Sequence, residues 1–373
     1  MFKRIISFVA TAVVCALLLA GCSIRLDDPA PGKSSVPEGA IGFSAGSALL
    51  LDDAPISKSG TDLKTAFAVN DNFYVYGAKV ISGARYTVFN GQSVGLTSLG
   101  ANASDPLDDV WEYSPIRFWD SNASQYTFVA ISGPATSTGI SSDPAAAGRL
   151  KASVSFDATD SPCDILAAGY QRTDGTITPV HFEFTHILSA VRVVIINDSP
   201  NVSVTVNSYG FRNICYRANG TVEQSGNGLT TMVTSDWETP SYTSSTILGH
   251  TASPGIVLAK GGQFAMASDK WDLMVPQELA PYGDYTPQLM LDYEYDQVNP
   301  YTQLSEHNHI VFPLRLENIA VKNSNELISS WLPGMKYTYE IHIRLGGGII
   351  VNVAVTDWTE VPAETPGLTI DDE

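Results

Sequence analysis

The feature that most constrains this chain is a succession of short runs rich in Val, Ile, Tyr and Phe, each bounded by Gly, Pro, Ser, Asn or Asp. Many of them alternate apolar with polar residues. Alternation at period two turns one row of side chains to a core and the other to water, which is the geometry of a half-buried strand. Such runs occupy residues 67–69, 73–80, 85–90, 110–113, 125–132, 150–156 and 165–170. Further along they occupy 180–185, 189–196, 202–206, 271–275, 288–295, 309–316, 336–345 and 349–355. Ser82-Gly83 reads as a tight turn that folds 85–90 back on 73–80. Gly346-Gly347-Gly348 reads as the turn of a terminal hairpin. Helical turns are expected only near 185–190 and 326–331. Short strands spaced by turn signals, without intervening helices, predict an all-β sandwich or barrel and not a parallel α/β sheet.

Charge narrows the function classes. The chain carries 39 acidic against 21 basic residues, a net charge of −18, with only 16% of residues charged. An acidic surface excludes nucleic acid as a partner, because phosphate binding needs a basic face. Hydrophobic residues make up 44%, enough for a substantial core, so disorder is excluded as well. At about 150 residues per domain, the length suggests two domains. The polar stretch Arg172-Thr173-Asp174-Gly175 lies near the midpoint and marks a boundary within 172–179. The expected division is a signal peptide over 1–21, a linker over 22–39, one β-sandwich over 40–175 and a second over 176–373, ending in a hairpin and tail.

The N-terminus fixes the compartment. Lys3 and Arg4 precede an apolar run over 5–19. That run is shorter than the roughly 20 residues of a membrane span and fits a secretory signal. Leu19-Ala20-Gly21-Cys22 then resembles the lipobox of bacterial lipoproteins, which implies acylation of Cys22 as the mature N-terminus. Several acyl chains on one residue give stable membrane anchoring where a single chain does not. Asp27-Asp28, just beyond, resembles a surface-export signal of Bacteroidetes lipoproteins. Residues 23–39 are rich in Pro, Gly and Ser and read as linker. Beyond Cys22, Cys163 and Cys215 are expected to be separate buried thiols; a disulfide is the alternative that an envelope compartment allows.

Several motifs suggest chemistry, and the bland reading is preferred for each. Gly42-Phe43-Ser44-Ala45-Gly46 matches GxSxG, but a nucleophile elbow needs a helix after the serine and this context has none. Glu306, His307 and His309 could ligate a metal, although the sequence nominates no further ligand. Asp292, Glu294 and Asp296 share a strand face, and Asp105, Asp108 and Asp109 share a loop that suits calcium better. All are read as solvated polar positions. Trp111, Tyr113, Trp119, Tyr126 and Phe128 could stack on sugars but are read as sandwich core. No catalysis and no cofactor are expected.

The same aromatic cluster carries a family resemblance. Trp111-Glu112-Tyr113-Ser114-Pro115, Phe118-Trp119 and Tyr126-Thr127-Phe128-Val129-Ala130 resemble the W-x-Y-x-P … W … Y-x-F-x-A pattern of fimbrillin-like proteins of the Bacteroidales. In the order the family requires, Ile41-Gly42-Phe43 is similar to its first strand and Phe73-Tyr74-Val75-Tyr76 to the next core strand. Phe182-Glu183-Phe184-Thr185-His186-Ile187-Leu188-Ser189-Ala190-Val191 is similar to its F-x-H-x-L-S-x-V segment. Gly334-Met335-Lys336-Tyr337-Thr338-Tyr339 and Val355-Thr356-Asp357-Trp358 resemble its C-terminal hairpin.

The resemblance implies two transthyretin-like antiparallel β-sandwiches in tandem. It also implies a lipoprotein on the outer-membrane surface that is built into a type V pilus. Its partners would be neighbouring pilus subunits, the outer membrane through the lipid, and a ligand on a host or bacterial surface. In that family a trypsin-like protease removes the N-terminal segment with its first strand, here Ile41, Phe43 and Ala45, and a neighbour's strand fills the groove. Two departures matter. Cleavage in the family is commonly at Arg, yet no Arg lies between Arg25 and Arg85, so Lys64 is the preferred site and Lys58 the alternative. The tail after Trp358 carries Pro362, Pro366 and Gly367 and makes a poor donor strand. A tip, accessory or anchor subunit fits this better than a stalk repeat. The alternative reading is a surface glycan-binding lipoprotein with the same architecture.

Overall fold

The computed structural model describes residues 36–47, 61–62, 67–100, 109–133, 149–159, 164–175, 177–225, 228–230, 238–242, 248–265, 270–324, 326–344 and 348–357. The fold is all-β. A seven-stranded sheet runs in the order Phe43–Ser47, Val180–His186, Leu166–Arg172, Gln125–Ser132, Asn72–Ile81, Ala84–Ser98, Val110–Glu112. A second sheet is built around Ser189–Asn197, Met335–Arg344 and Gly348–Asp357. It faces a four-stranded sheet in the order Leu248–Leu258, Val204–Arg212, Gln288–Val298, Ser305–Arg315. A smaller sheet pairs Arg149–Asp157 with Cys215–Ser225.

The expected hairpins form. Asn72–Ile81 and Ala84–Ser98 turn at Ser82 and Gly83, both with positive φ, as a two-residue type I′ turn requires. Met335–Arg344 pairs with Gly348–Asp357 from Met335↔Asp357 to Arg344↔Gly348. The expected helical turns do not form. Val180–His186 and Ser189–Asn197 are both strands, and residues 326–331 contain the short strand Ser330–Trp331. β-Branched residues over 189–196 and burial on two faces outweigh the helical spacing there. The one helical element among the described residues is the 3-10 turn Leu316–Asn318.

Two further expectations need correction. The sheets are not purely antiparallel: Phe43–Ser47 lies parallel to Val180–His186, and Ser189–Asn197 lies parallel to Met335–Arg344. Both pairs are distant in sequence, so no hairpin imposes an antiparallel course. The first sheet also extends through His186, beyond the division expected at residue 175, because Val180–His186 supplies one of its strands. The polar stretch 172–175 is the loop between two strands of that sheet, and in sequence such a loop looks like a linker.

Three cores follow from this arrangement. One lies inside the first sheet and is almost wholly aromatic and aliphatic. A second joins the opposite face of that sheet, through Tyr76, Val129, Ile131 and Ala167, to Val154 and Phe156 of the smaller sheet and to Trp271 and Leu273 of the second. The third fills the sandwich between the second and four-stranded sheets.

The first strand and its aromatic seat as candidate functional site

Alternation in Ile41-Gly42-Phe43-Ser44-Ala45 turns Ile41, Phe43 and Ala45 to one side. That side is the core of the first sheet, where the three are 0%, 4% and 2% exposed. Phe43 is ringed by aromatic side chains, with centroids 6.4 Å from Phe73, 5.4 Å from Phe89, 5.4 Å from Tyr113, 6.2 Å from Phe128 and 5.7 Å from Phe182. Most of these pairs meet edge to face, the arrangement that ring quadrupoles favour.

The strand is paired along one side, and the residues just ahead of it are held on the other. On one side its residues pair in parallel with Val180–Phe184, and the Val180 amide donates to the Gly42 carbonyl at 2.8 Å. On the other side the chain preceding it meets residues 117–119. The Ile41 amide donates to the Arg117 carbonyl at 2.8 Å, the Trp119 amide donates to the Gly39 carbonyl at 3.1 Å, and Ala40 bridges Phe118. The sheet therefore curls until the residues ahead of its first strand meet the segment that follows its last. Residues 39–47 are the seam that closes it. The Tyr113 hydroxyl fastens this seam by donating to the Ile41 carbonyl at 2.7 Å and accepting from the Arg117 amide at 3.2 Å. Burial pushes the Tyr113 phenol up, against the opposing effect of Arg117.

The seat depends on one glycine. A Cβ on Gly77 would lie 2.7 Å from the Phe128 ring and 3.0 Å from that of Phe89. The missing side chain lets both rings close around Phe43.

Ser44, the serine of the GxSxG match, lies mid-strand on the opposite row and is buried. Its Oγ shares a hydrogen bond of 2.9 Å with Nδ1 of His181, its partner in the parallel register. Burial holds the His181 imidazole below its ordinary value, against Glu183. The serine sits in a regular ladder and not at a sharp strand-to-helix turn, so it ties two strands together where a nucleophile would be presented to substrate.

The other tempting residues are placed as follows. Trp111, Tyr113, Tyr126 and Phe128 are buried in the first core and Trp119 packs against it, so they present no sugar platform. The histidines and the acidic row, read separately in the sequence, meet on neighbouring strands of the four-stranded sheet. His309 Nε2 lies 2.8 Å from Asp292, and His307 Nδ1 lies 3.0 Å from Asp296. These are exposed side-chain contacts, individually of small energetic weight. Among the described residues no group of three or more His, Cys, Asp or Glu is placed to hold a metal ion. Asp109 accepts from the Gly100 amide at 2.8 Å. Cys215 is buried. Asp105, Asp108, Cys22, Lys58, Lys64 and Cys163 lie outside the described residues.

The sequence pattern gave no sign that residues 117–119 close the sheet, of Gly77 as the floor of the seat, or of His181 behind the first strand. Tyr113 and Phe118-Trp119 had a signal, as parts of the W-x-Y-x-P … W pattern.

The fimbrillin-like family matches this sequence over residues 61–358. The chain belongs to that family. No match was found among curated proteins. Solved structures similar to this fimbrillin-like chain include fimbrilin FimA from Porphyromonas gingivalis W83. It is 12% identical, covering 87% of this chain and 98% of that one, with a TM-score of 0.40. A candidate cell adhesion protein from Bacteroides uniformis is 18% identical, covering 87% of this chain and all of that one, with a TM-score of 0.43.

Proposed function

We propose that this fimbrillin-like chain is a structural and adhesive subunit of a cell-surface type V pilus, assembled by donor-strand exchange. It is exported as a lipoprotein, anchored to the outer membrane through Cys22, and cut at Lys64 or Lys58. The cut frees the segment carrying Ile41, Phe43 and Ala45, and a strand of a neighbouring subunit replaces it. The observation that carries this reading is the seam. One short strand at the N-terminal end of the sheet, paired through its backbone with Val180–His186 and fastened by residues 39–41 to 117–119, plugs an otherwise aromatic core. Removing such a strand leaves an open sheet edge beside an apolar groove, the two elements that strand addition uses. The proline-containing tail after Trp358 supports a tip, accessory or anchor position.

Limited trypsin treatment of the non-lipidated chain tests the proposal. We expect a first nick that is lost in Lys64→Gln, or in the double variant with Lys58→Gln, followed by release of the leader segment. A nicked chain that keeps its leader contradicts assembly by strand exchange. In cells, Cys22→Ala is expected to release the protein from the membrane fraction; unchanged retention contradicts the lipid anchor.

A further inference from the structure

We infer that the seat of the first strand selects its occupant by a single aromatic side chain. We further infer that the occupant in an assembled pilus is a strand from a different subunit, not the terminal strand of a second copy of this chain. The inference rests on the pilus reading above and specifies the partner that reading requires.

The bonds along the strand are mostly main-chain. The Val180 amide binds the Gly42 carbonyl, the Ile41 amide binds the Arg117 carbonyl, and the Tyr113 hydroxyl binds the Ile41 carbonyl. Any extended segment can make these bonds, so they supply affinity without choosing a sequence. Choice comes from the alternate side chains. In chain order they are a large aliphatic at Ile41, an aromatic at Phe43 and a small residue at Ala45, all buried. The middle position dominates, because the rings of Phe73, Phe89, Tyr113, Phe128 and Phe182 all close on it. A strand without an aromatic there leaves those rings around a void, and core cavities are costly in proportion to their volume.

This chain's own terminal strand does not meet the requirement. Gly348–Asp357 carries Ile349, Val351, Val353 and Val355 in one row and Ile350, Asn352, Ala354 and Thr356 in the other, with no aromatic residue. It is already paired along its length with Met335–Arg344. In residues 358–373 the one aromatic is Trp358, whose alternate neighbours are Thr356 and Glu360. Thr356 is no large aliphatic, and a glutamate would fall where the seat holds Ala45. The stretches that do fit, Val154 with Phe156 and Ala158, and Ile214 with Tyr216 and Ala218, lie in or beside the paired strands Arg149–Asp157 and Cys215–Ser225 of the smaller sheet. The donor is therefore a strand of another chain that places a large aliphatic, an aromatic and a small residue at alternate positions, running parallel to Val180–His186.

The test uses the full non-lipidated chain with a site for a sequence-specific protease placed between residues 48 and 60, and cut there. A fluorescent peptide of residues 40–47 is added, and unlabelled peptides compete for it. We expect the native peptide to enter the cut chain. The same peptide with Phe43→Ala should compete more weakly by on the order of a hundredfold, the penalty of an unfilled core site. A peptide of residues 349–356 should not compete. The inference is overturned if the Phe43→Ala peptide or the terminal-strand peptide competes within about threefold of the native one. If no peptide enters, the native one included, strand exchange itself fails and the inference falls with it. Entry without discrimination overturns the inference alone.

Discussion

The Tyr113 hydroxyl donates to the Ile41 carbonyl at 2.7 Å, joining the W-x-Y-x-P segment to the backbone just ahead of the first strand. Ile41 and Tyr113 are both buried, so the bond is shielded from water and orients the seam. Most contacts between residues 39–41 and 117–119 are main-chain, and the tyrosine adds a side-chain latch to them.

Tyr113→Phe keeps the ring beside Phe43 and removes only the latch. A buried neutral hydrogen bond contributes about 1 kcal/mol net. Denaturant unfolding should show a loss of about that size. In a chain cut between 48 and 60, release of the leader should be faster than in the parent, which mass spectrometry of the dissociated fragment measures. An unchanged release rate would show that the hydroxyl does not hold the seam.

Gly77→Ala should destabilise the first sheet by overpacking. Its new methyl would sit 2.7 Å from Phe128 and 3.0 Å from Phe89, two of the rings around Phe43. Inserting a carbon into a filled core costs about 1–3 kcal/mol. Thermal unfolding gives the loss, and NMR of the ring protons should locate it at Phe43, Phe89 and Phe128. Gly83→Ala, in the exposed turn with nothing within 4 Å of its added carbon, should instead cost only the strain of positive φ, about 1 kcal/mol.

His181 couples the first strand to pH. Burial lowers its imidazole, and its neutral ring bonds Ser44. A histidine lowered in the folded state contributes stability that is complete above its unfolded value of about 6.5. That contribution is lost as pH falls toward the lowered folded value. Acidification below about pH 6 should therefore weaken the seat of the first strand. His181→Asn should flatten that part of the stability profile. Titration of the ring by NMR checks the premise directly, and a midpoint at or above 6.5 would contradict it.

His250 works in the opposite direction. Its hydrogen bond to Asp272, 3.1 Å across two sheets, raises the imidazole, with burial opposing. The ring also stacks on Tyr209 at 5.0 Å. A raised histidine contributes stability that is complete below about 6.5 and is lost as pH rises through the raised value. His250→Gln should lower stability on the acid side, where this contribution is present, remove its loss as pH rises, and leave the alkaline side little changed. The pair is partly exposed, so the effect should be modest and should shrink in high salt.

Much of the fold was legible because period-two alternation and turn residues are local signals. The Ser82-Gly83 turn and the hairpin that ends at Gly348–Asp357 could be read directly. What was not legible depends on contacts distant in sequence. Nothing in Phe43–Ser47 says that it runs parallel to Val180–His186, because a strand's alternation is the same in either direction. The stretch 172–175 looked like a domain boundary because a polar loop within a sheet and a linker share one composition. The His-x-His and acidic motifs are each visible in the sequence, but only the pairing of Gln288–Val298 with Ser305–Arg315 shows that they meet. At the candidate site, Ile41, Phe43 and Ala45 carried an alternation signal, whereas Gly77 and residues 117–119 matter only through the curvature of the sheet.

The central claim is that Phe43–Ser47 is a replaceable plug on an otherwise self-standing fold. Hydrogen exchange on the chain cut between 48 and 60, with the leader dissociated, tests it most directly. The account predicts that amides of the Val180–His186 strand and of residues 117–119 lose protection, while Ser189–Asn197 and Met335–Arg344 in the second sheet keep theirs. Protection should return to the first sheet on adding the peptide of residues 40–47. Loss of protection throughout the chain, or no loss at Val180–His186, would contradict the account.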